Sequence, residues 1–118
     1  AHVEFGKILQ KVSISLNKRA VLIASGDLSH RLIPGAPAGY DPKGREFDDN
    51  ICKAITAMDI KSILDMNDEL IERAGECGLR SIVMLLGALE NSKVKPEILS
   101  YEGPFGVGYL VAEFKVVS

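Results

Sequence analysis

Apolar positions along this chain follow two periods, and the switches between them mark the elements. Phe5, Ile8, Leu9, Val12 and Leu16 recur at three- and four-residue steps, with Lys7, Gln10, Lys11 and Ser13 between them. That stripe predicts an amphipathic helix over residues 2–17. Asn17-Lys18-Arg19 closes it, and the apolar run "AVLIAS" (Ala20–Ser25) follows. A short apolar run between helices predicts a buried central strand in a parallel arrangement. Residues 26–43 then lose all periodicity and gather glycine and proline, "PGAPAG" above all. They predict a long loop, and loops of this length in compact domains are usually functional or disordered.

Helical spacing returns beyond the loop. Asp41-Pro42 reads as an N-cap with proline at the first helical position. Phe47, Ile51, Ala54, Ile55 and Met58 form the next stripe. Asp59 and Asn67 each precede a short helical stretch, "IKSILDM" and "DELIERA", and "GECG" (Gly75–Gly78) interrupts the pattern. Leu79, Ile82, Val83, Leu85, Leu86 and Leu89 then predict a helix that is apolar nearly all round and therefore buried. Lys95–Tyr101 reads as a strand, "GPFGVG" as a glycine-rich turn, and Gly108–Val117 as the last strand. There Leu110, Ala112, Phe114 and Val116 share one face while Glu113 and Lys115 share the other. The expected architecture is α/β, a central mixed sheet flanked by helices with a C-terminal β-hairpin.

Composition narrows the classes of function. The chain has 118 residues, 47% of them hydrophobic and 25% charged, which is the composition of one globular domain. A formal net charge of −2 with scattered basic residues gives no footprint for nucleic acid or an anionic membrane. No apolar run reaches the length of a membrane span. Cys52 and Cys77 lack CxxC spacing and read as reduced thiols in a cytoplasmic protein. The chain opens directly in "AHVEFGKILQ", without an initiator methionine, so residues 1–118 are expected to be a single domain from a longer protein.

Three stretches carry candidate chemistry. In "GDLSH" (Gly26–His30) a carboxylate, a hydroxyl and an imidazole follow the apolar run. In open α/β sheets binding sites lie at the carboxyl ends of strands. His30 there suits acid–base work, and Asp27 is placed to orient its ring. Ser29 is a weaker nucleophile candidate, since no GxSxG elbow surrounds it. The plain alternative is a strand exit capped by Asp27 and Ser29 with His30 on the surface. In "AGECGLRS" (Ala74–Ser81), Glu76 and Cys77 sit at the start of the apolar helix. Glu76 suits the helix N-terminus or a metal ion, and Cys77 there can be a reactive thiol. The alternatives are a first-turn charge and a small buried hydrophobe. "SYEGPFGVGY" (Ser100–Tyr109) lacks both phosphate-loop patterns, so it reads as a tight hairpin in which Tyr101, Glu102 and Phe105 can still face a pocket. With only two histidines, one of them terminal His2, this chain does not assemble a complete metal site.

Taken together, "ASGDLSHRL", "AGECGLRSIVMLLGAL" and "YEGPFGVGYLVAEF" resemble the C-terminal half of the class III extradiol ring-cleavage dioxygenase superfamily, near its Memo-like and AmmeMemoRadiSam-associated members. The resemblance runs over nearly the whole chain. It implies a non-haem Fe(II) enzyme that uses O2 to open a small catechol-type aromatic substrate. It further implies His30 as the acid–base residue with Asp27 beside it, and a metal ligand at Glu76 or, as in Memo-like relatives, Cys77; Glu76 ranks first because a carboxylate suits ferrous iron. The two metal-binding histidines of the family's N-terminal half are absent, so this chain alone is expected to hold iron weakly. The partners implied are the missing N-terminal half or a homo-oligomer. The rival expectation is a Memo-like binding or signalling module that keeps the fold without ring cleavage.

Overall fold

The computed structural model describes residues 1–117. Its elements in order are α1 (His2–Ser15), α2 (Lys43–Ala57), α3 (Ile60–Leu64), α4 (Asp68–Ala74), α5 (Leu79–Ala88), β1 (Val94–Glu102) and β2 (Tyr109–Val116). The fold is α/β, with the expected hairpin at its C-terminal end.

The stripe on α2 builds the core. Phe47, Ile51 and Ile55 are fully buried, and Leu28, Ile63, Leu70, Ala74, Val83 and Leu86 pack around them. Each neighbouring helix begins on a cap that local chemistry dictates. The Asp41 carboxylate accepts the Lys43 N–H at 2.9 Å, so α2 starts one residue after Pro42. Asp59 accepts the Ser62 N–H to start α3, and Asn67 accepts the Glu69 and Leu70 N–H groups to start α4. Gly75, in the left-handed region at φ 61°, ends α4.

β1 and β2 pair antiparallel from Val94↔Val116 to Glu102↔Tyr109, with an irregularity between Ile98 and Ser100 that leaves Leu99 unpaired. Alternation turns Ile98, Tyr101, Leu110, Ala112 and Phe114 toward the core. Val116, expected on that inner face, is exposed at the open end of the hairpin.

Two expectations fail, for a common physical reason. Ala20–Ser25 forms no strand: Val21 is 89% and Ile23 80% exposed. A strand needs a neighbour for its amides and carbonyls, and the described residues offer none there. The α1 stripe also meets water, with Phe5, Ile8, Val12 and Leu16 all exposed. The helix instead seats its glycine side against α5. A Cβ on Gly6 would collide with the Met84 carbonyl, and one on Gly87 with that of Val3. α5 is accordingly half-buried along much of its length, with Val83, Leu86 and Gly87 fully inside. No described helix is long and apolar enough to cross a membrane.

Candidate functional site

The stretch 26–42 has no helix or extended strand, yet its first half is held on both sides. Toward the hairpin, the Leu28 N–H donates to the Gly108 carbonyl at 2.9 Å. Gly108 N–H returns a bond to the Ser29 carbonyl at 2.8 Å, and Leu32 N–H donates to Gly106 O at 3.0 Å. Toward α4, His30 N–H donates to the Gly75 carbonyl at 3.0 Å, Cys77 N–H donates to the Asp27 carbonyl at 3.3 Å, and Ser29 pairs with Glu76 as an isolated bridge. Three sequence-distant stretches, 26–32, 74–78 and 103–108, thus lie side by side as one backbone layer. Leu28, Leu32 and Ala36 bury beneath it.

Close approach explains the glycines at the seam. A Cβ on Gly26 would stand 2.7 Å from the Gly78 Cα, and one on Gly78 would stand 2.8 Å from the Asp27 carbonyl oxygen. Neither backbone can retreat without breaking the Asp27–Cys77 pairing, so both positions require glycine.

Under the layer sits a buried polar post. Asp48 on α2 is fully buried and accepts the Ser29 N–H at 2.9 Å. Its other oxygen accepts the Tyr101 hydroxyl in a short hydrogen bond. The Ser29 hydroxyl donates to the Ala74 carbonyl at 2.7 Å and accepts the Arg31 N–H at 3.0 Å. Burial pushes the Asp48 carboxyl above its ordinary value, against the pull of its hydrogen bonds, and burial also raises the Tyr101 phenol. Ser29 is therefore a structural tie with both ends occupied.

The return of the loop is clamped by charge. Asp41 takes two bonds from the Arg73 guanidinium, at 2.9 and 3.0 Å, which hold its carboxyl below the ordinary range. Arg31 donates to the Arg73 carbonyl at 3.1 Å.

Above the layer, Asp27, His30 and Cys77 each offer a ligand atom within 4.8 Å of the other two. Asp27 N–H donates to the Cys77 sulfur at 3.1 Å. His30 Nε2 is buried and has no hydrogen-bond partner. Asp27 and His30 make no hydrogen bond with each other among the described residues, so their relation here is proximity. Glu76 lies outside the cluster, its carboxylate accepting the Leu79 N–H at 2.7 Å as a cap on α5. Tyr101 points to Asp48, while Glu102 and Phe105 are exposed.

A carboxylate, an imidazole with an orphaned nitrogen and an accessible thiol form a donor set that fits a first-row divalent metal. Three donors from one side leave the rest of a coordination sphere to other groups. The second cysteine differs in kind. Cys52 is half-buried beside Asp48 and Asp49, and burial pushes its thiol up to about 11.

Sequence reasoning missed Asp48, although a signal was there. It falls at i−3 from Ile51 and i−7 from Ile55, so the α2 stripe itself places a carboxylate on the buried face.

The family described as the catalytic LigB subunit of aromatic ring-opening dioxygenase matches residues 1–112. Protein CA_C1420 of Clostridium acetobutylicum is 46% identical over 114 residues, which are 97% of this chain and 24% of that protein. The MEMO1 family protein MJ0403 of Methanocaldococcus jannaschii is 32% identical over 106 residues, 84% of this chain and 32% of that protein. The chain thus spans about a quarter and a third of these two relatives. With a family match over nearly its full length, the chain belongs to the LigB family of class III extradiol dioxygenases.

Proposed function

We propose that this chain is the C-terminal portion of a metal-dependent, dioxygenase-like protein, and that Asp27, His30 and Cys77 form its wall of the metal-centred pocket. The observation that carries this reading is the approach of Asp27, His30 and Cys77 to one another, with one ring nitrogen of His30 buried and unpartnered. Buried polar atoms are rarely left without partners unless something else is to bind them.

In a ring-opening reaction, Asp27 and Cys77 would help to hold Fe(II), which would supply the centre for electron transfer between a catecholate and O2. His30 accepts the proton of one catechol hydroxyl and returns it as the ring bond beside that hydroxyl opens and both oxygen atoms enter the product. The apolar residues under the layer keep it rigid while the proton moves. The substrate class is a small aromatic diol. Two free thiols suit a reducing compartment such as the cytoplasm.

A second reading has its own support, because the cluster contains Cys77 rather than Glu76 and one relative is a MEMO1 family protein. In that reading Asp27, His30 and Cys77 all hold the metal, and the protein binds rather than opens rings.

The intact protein, loaded anaerobically with Fe(II) and then exposed to air with a catechol panel, separates the two. A coloured ring-cleaved product that is lost in His30→Ala, with iron content retained, supports ring opening. Absence of product across the panel, with iron lost in both His30→Ala and Cys77→Ser, supports the binding module. Iron retained at full affinity in Cys77→Ser and Asp27→Asn overturns the proposed wall.

A further inference from the structure

His30 carries the proton in the proposed reaction, yet Asp27, expected to orient its ring, makes no hydrogen bond to it among the described residues. The imidazole therefore takes its place from the backbone that carries it. That backbone is tied at three successive amides. Ser29 N–H donates to Asp48 at 2.9 Å, His30 N–H to the Gly75 carbonyl at 3.0 Å, and Arg31 N–H to the Ser29 hydroxyl at 3.0 Å. The last two acceptors belong to the layer itself. The first leads out of the layer, to a side chain on the helix at the centre of the core.

Asp48 stands against local preference. It lies between Phe47 and Ile51 and is as fully buried as they are, on a face that an apolar side chain would cover without loss of hydration. Its carboxylate is held still from several sides. The Tyr101 hydroxyl donates to its second oxygen, and Gly108 backs so closely onto that oxygen that a Cβ there would collide with it. Arg45 lies over the Tyr101 ring, 5.6 Å from its centre. One turn earlier on the same face of α2, Gly44 makes room for the loop. A Cβ at this position would strike the Ser29 hydroxyl and stand 3.3 Å from the Arg31 carbonyl oxygen. Glycine is a poorer helix former than alanine, so both positions of this edge serve the fit to Ser29 rather than the helix.

We propose that Asp48 is a positioning residue for His30. Seated beside Gly44 and acting through the Ser29 N–H, it fixes where the imidazole stands relative to Asp27 and Cys77, and it touches neither substrate nor metal. The inference rests on the acid–base role given to His30 above, but the placement can be read without catalysis.

The readout is the ring NMR signal of His30 in the metal-free intact protein, assigned by its loss in His30→Gln. It is expected to shift or broaden in Asp48→Ala and to stay in place in Asp48→Asn, whose amide oxygen still accepts the Ser29 N–H. Gly44→Ala keeps the carboxylate and presses on Ser29, so it should displace the signal too and tests the same edge where Asp48→Ala fails to fold. Ile55→Ala, a core truncation further along the same helix, controls for lost stability and should leave the signal unmoved. In the Fe(II)-loaded protein, Asp48→Ala should lower kcat for ring opening on the order of 100-fold, with KM and iron content kept, while Asp48→Asn stays near the wild type. An unmoved His30 signal in either Asp48→Ala or Gly44→Ala overturns the proposal. So does an equal displacement in Ile55→Ala, which would make the effect one of stability alone. Absence of product from the wild type overturns ring opening instead, and the ring signal still decides whether Asp48 places His30.

Discussion

Replacing Asp48 with alanine removes one acceptor from two donors, the Ser29 N–H and the Tyr101 hydroxyl. Ser29 is fully buried, so water does not replace its lost partner, while Tyr101 is half-buried. A hydrogen bond to a charged acceptor is worth about 1.5–3 kcal/mol, and a stranded buried donor costs about 1–3 kcal/mol. Two such losses exceed the relief from no longer burying a carboxylate, and about 3 kcal/mol of net destabilisation is expected. For a domain of this size that lowers Tm by about 12 °C. Asp48→Asn behaves differently. An amide oxygen still accepts the Ser29 N–H, and burial already favours the neutral carboxyl. The cost should fall below about 1 kcal/mol, and the pH dependence should change as well. A carboxyl whose folded pKa is raised binds its proton more tightly when folded, so its stabilisation is complete below the ordinary aspartate value of 3.8. That stabilisation drains away as pH rises through the folded value. Urea unfolding of the wild type and both variants from pH 4 to 8 reads this. The wild type should lose stability relative to Asp48→Asn as pH rises. Alanine within about 0.5 kcal/mol of the wild type, or no pH trend between aspartate and asparagine, would refute the buried-post account.

Other expectations follow from single contacts. Gly78→Ala drives a Cβ against the Asp27 carbonyl, so urea unfolding should show a loss of about 1–3 kcal/mol, with Gly26→Ala similar. The Asp41 carboxyl is held low by Arg73, so its contribution is present above 3.8 and is lost as pH falls through the lower folded value; Asp41→Asn should flatten the acid limb of a thermal-stability profile. In the intact protein Cys77→Ser should weaken metal binding by at least the roughly 10–100-fold typical of outer-shell losses, while Glu76→Gln leaves it nearly unchanged in a titration with Fe(II).

What the sequence disclosed follows from how local each determinant is. The α2 stripe, the Asp59 and Asn67 caps and the alternation in β2 as far as Phe114 involve neighbours within a turn or two, and these are realised. The strand expected at Ala20–Ser25 and the buried face expected on α1 are not, because an apolar pattern says that a surface wants cover, not which polypeptide supplies it. The choice between Glu76 and Cys77 was illegible for another reason. Both sit in the same five residues, and the pairing of Ser29 with Glu76 sets which way each side chain turns. Adjacent residues in paired backbone point to opposite sides. Glu76 therefore turns to cap α5, and Cys77 turns toward Asp27 and His30.

That same pairing explains why three short motifs, weak one by one, identify the family together. Each supplies backbone rather than side chain to the shared layer, as the Gly108, Gly75 and Asp27 carbonyls do. Backbone contact tolerates only small residues at the seam, which fixes Gly26, Gly78 and Gly108; a Cβ on the last would strike the Asp48 carboxylate. The reactive side chains then project from a frame whose shape they do not determine. Exchange of a ligand at position 76 or 77 would leave every backbone-to-backbone hydrogen bond of the layer in place. Chemistry on this frame can therefore change while the frame persists, which is why ring opening and simple metal binding are both compatible with one set of glycines. The layer is held by contacts within the described residues, and the relative placement of Asp27, His30 and Cys77 follows from its contacts to Asp48, Gly75 and Gly108.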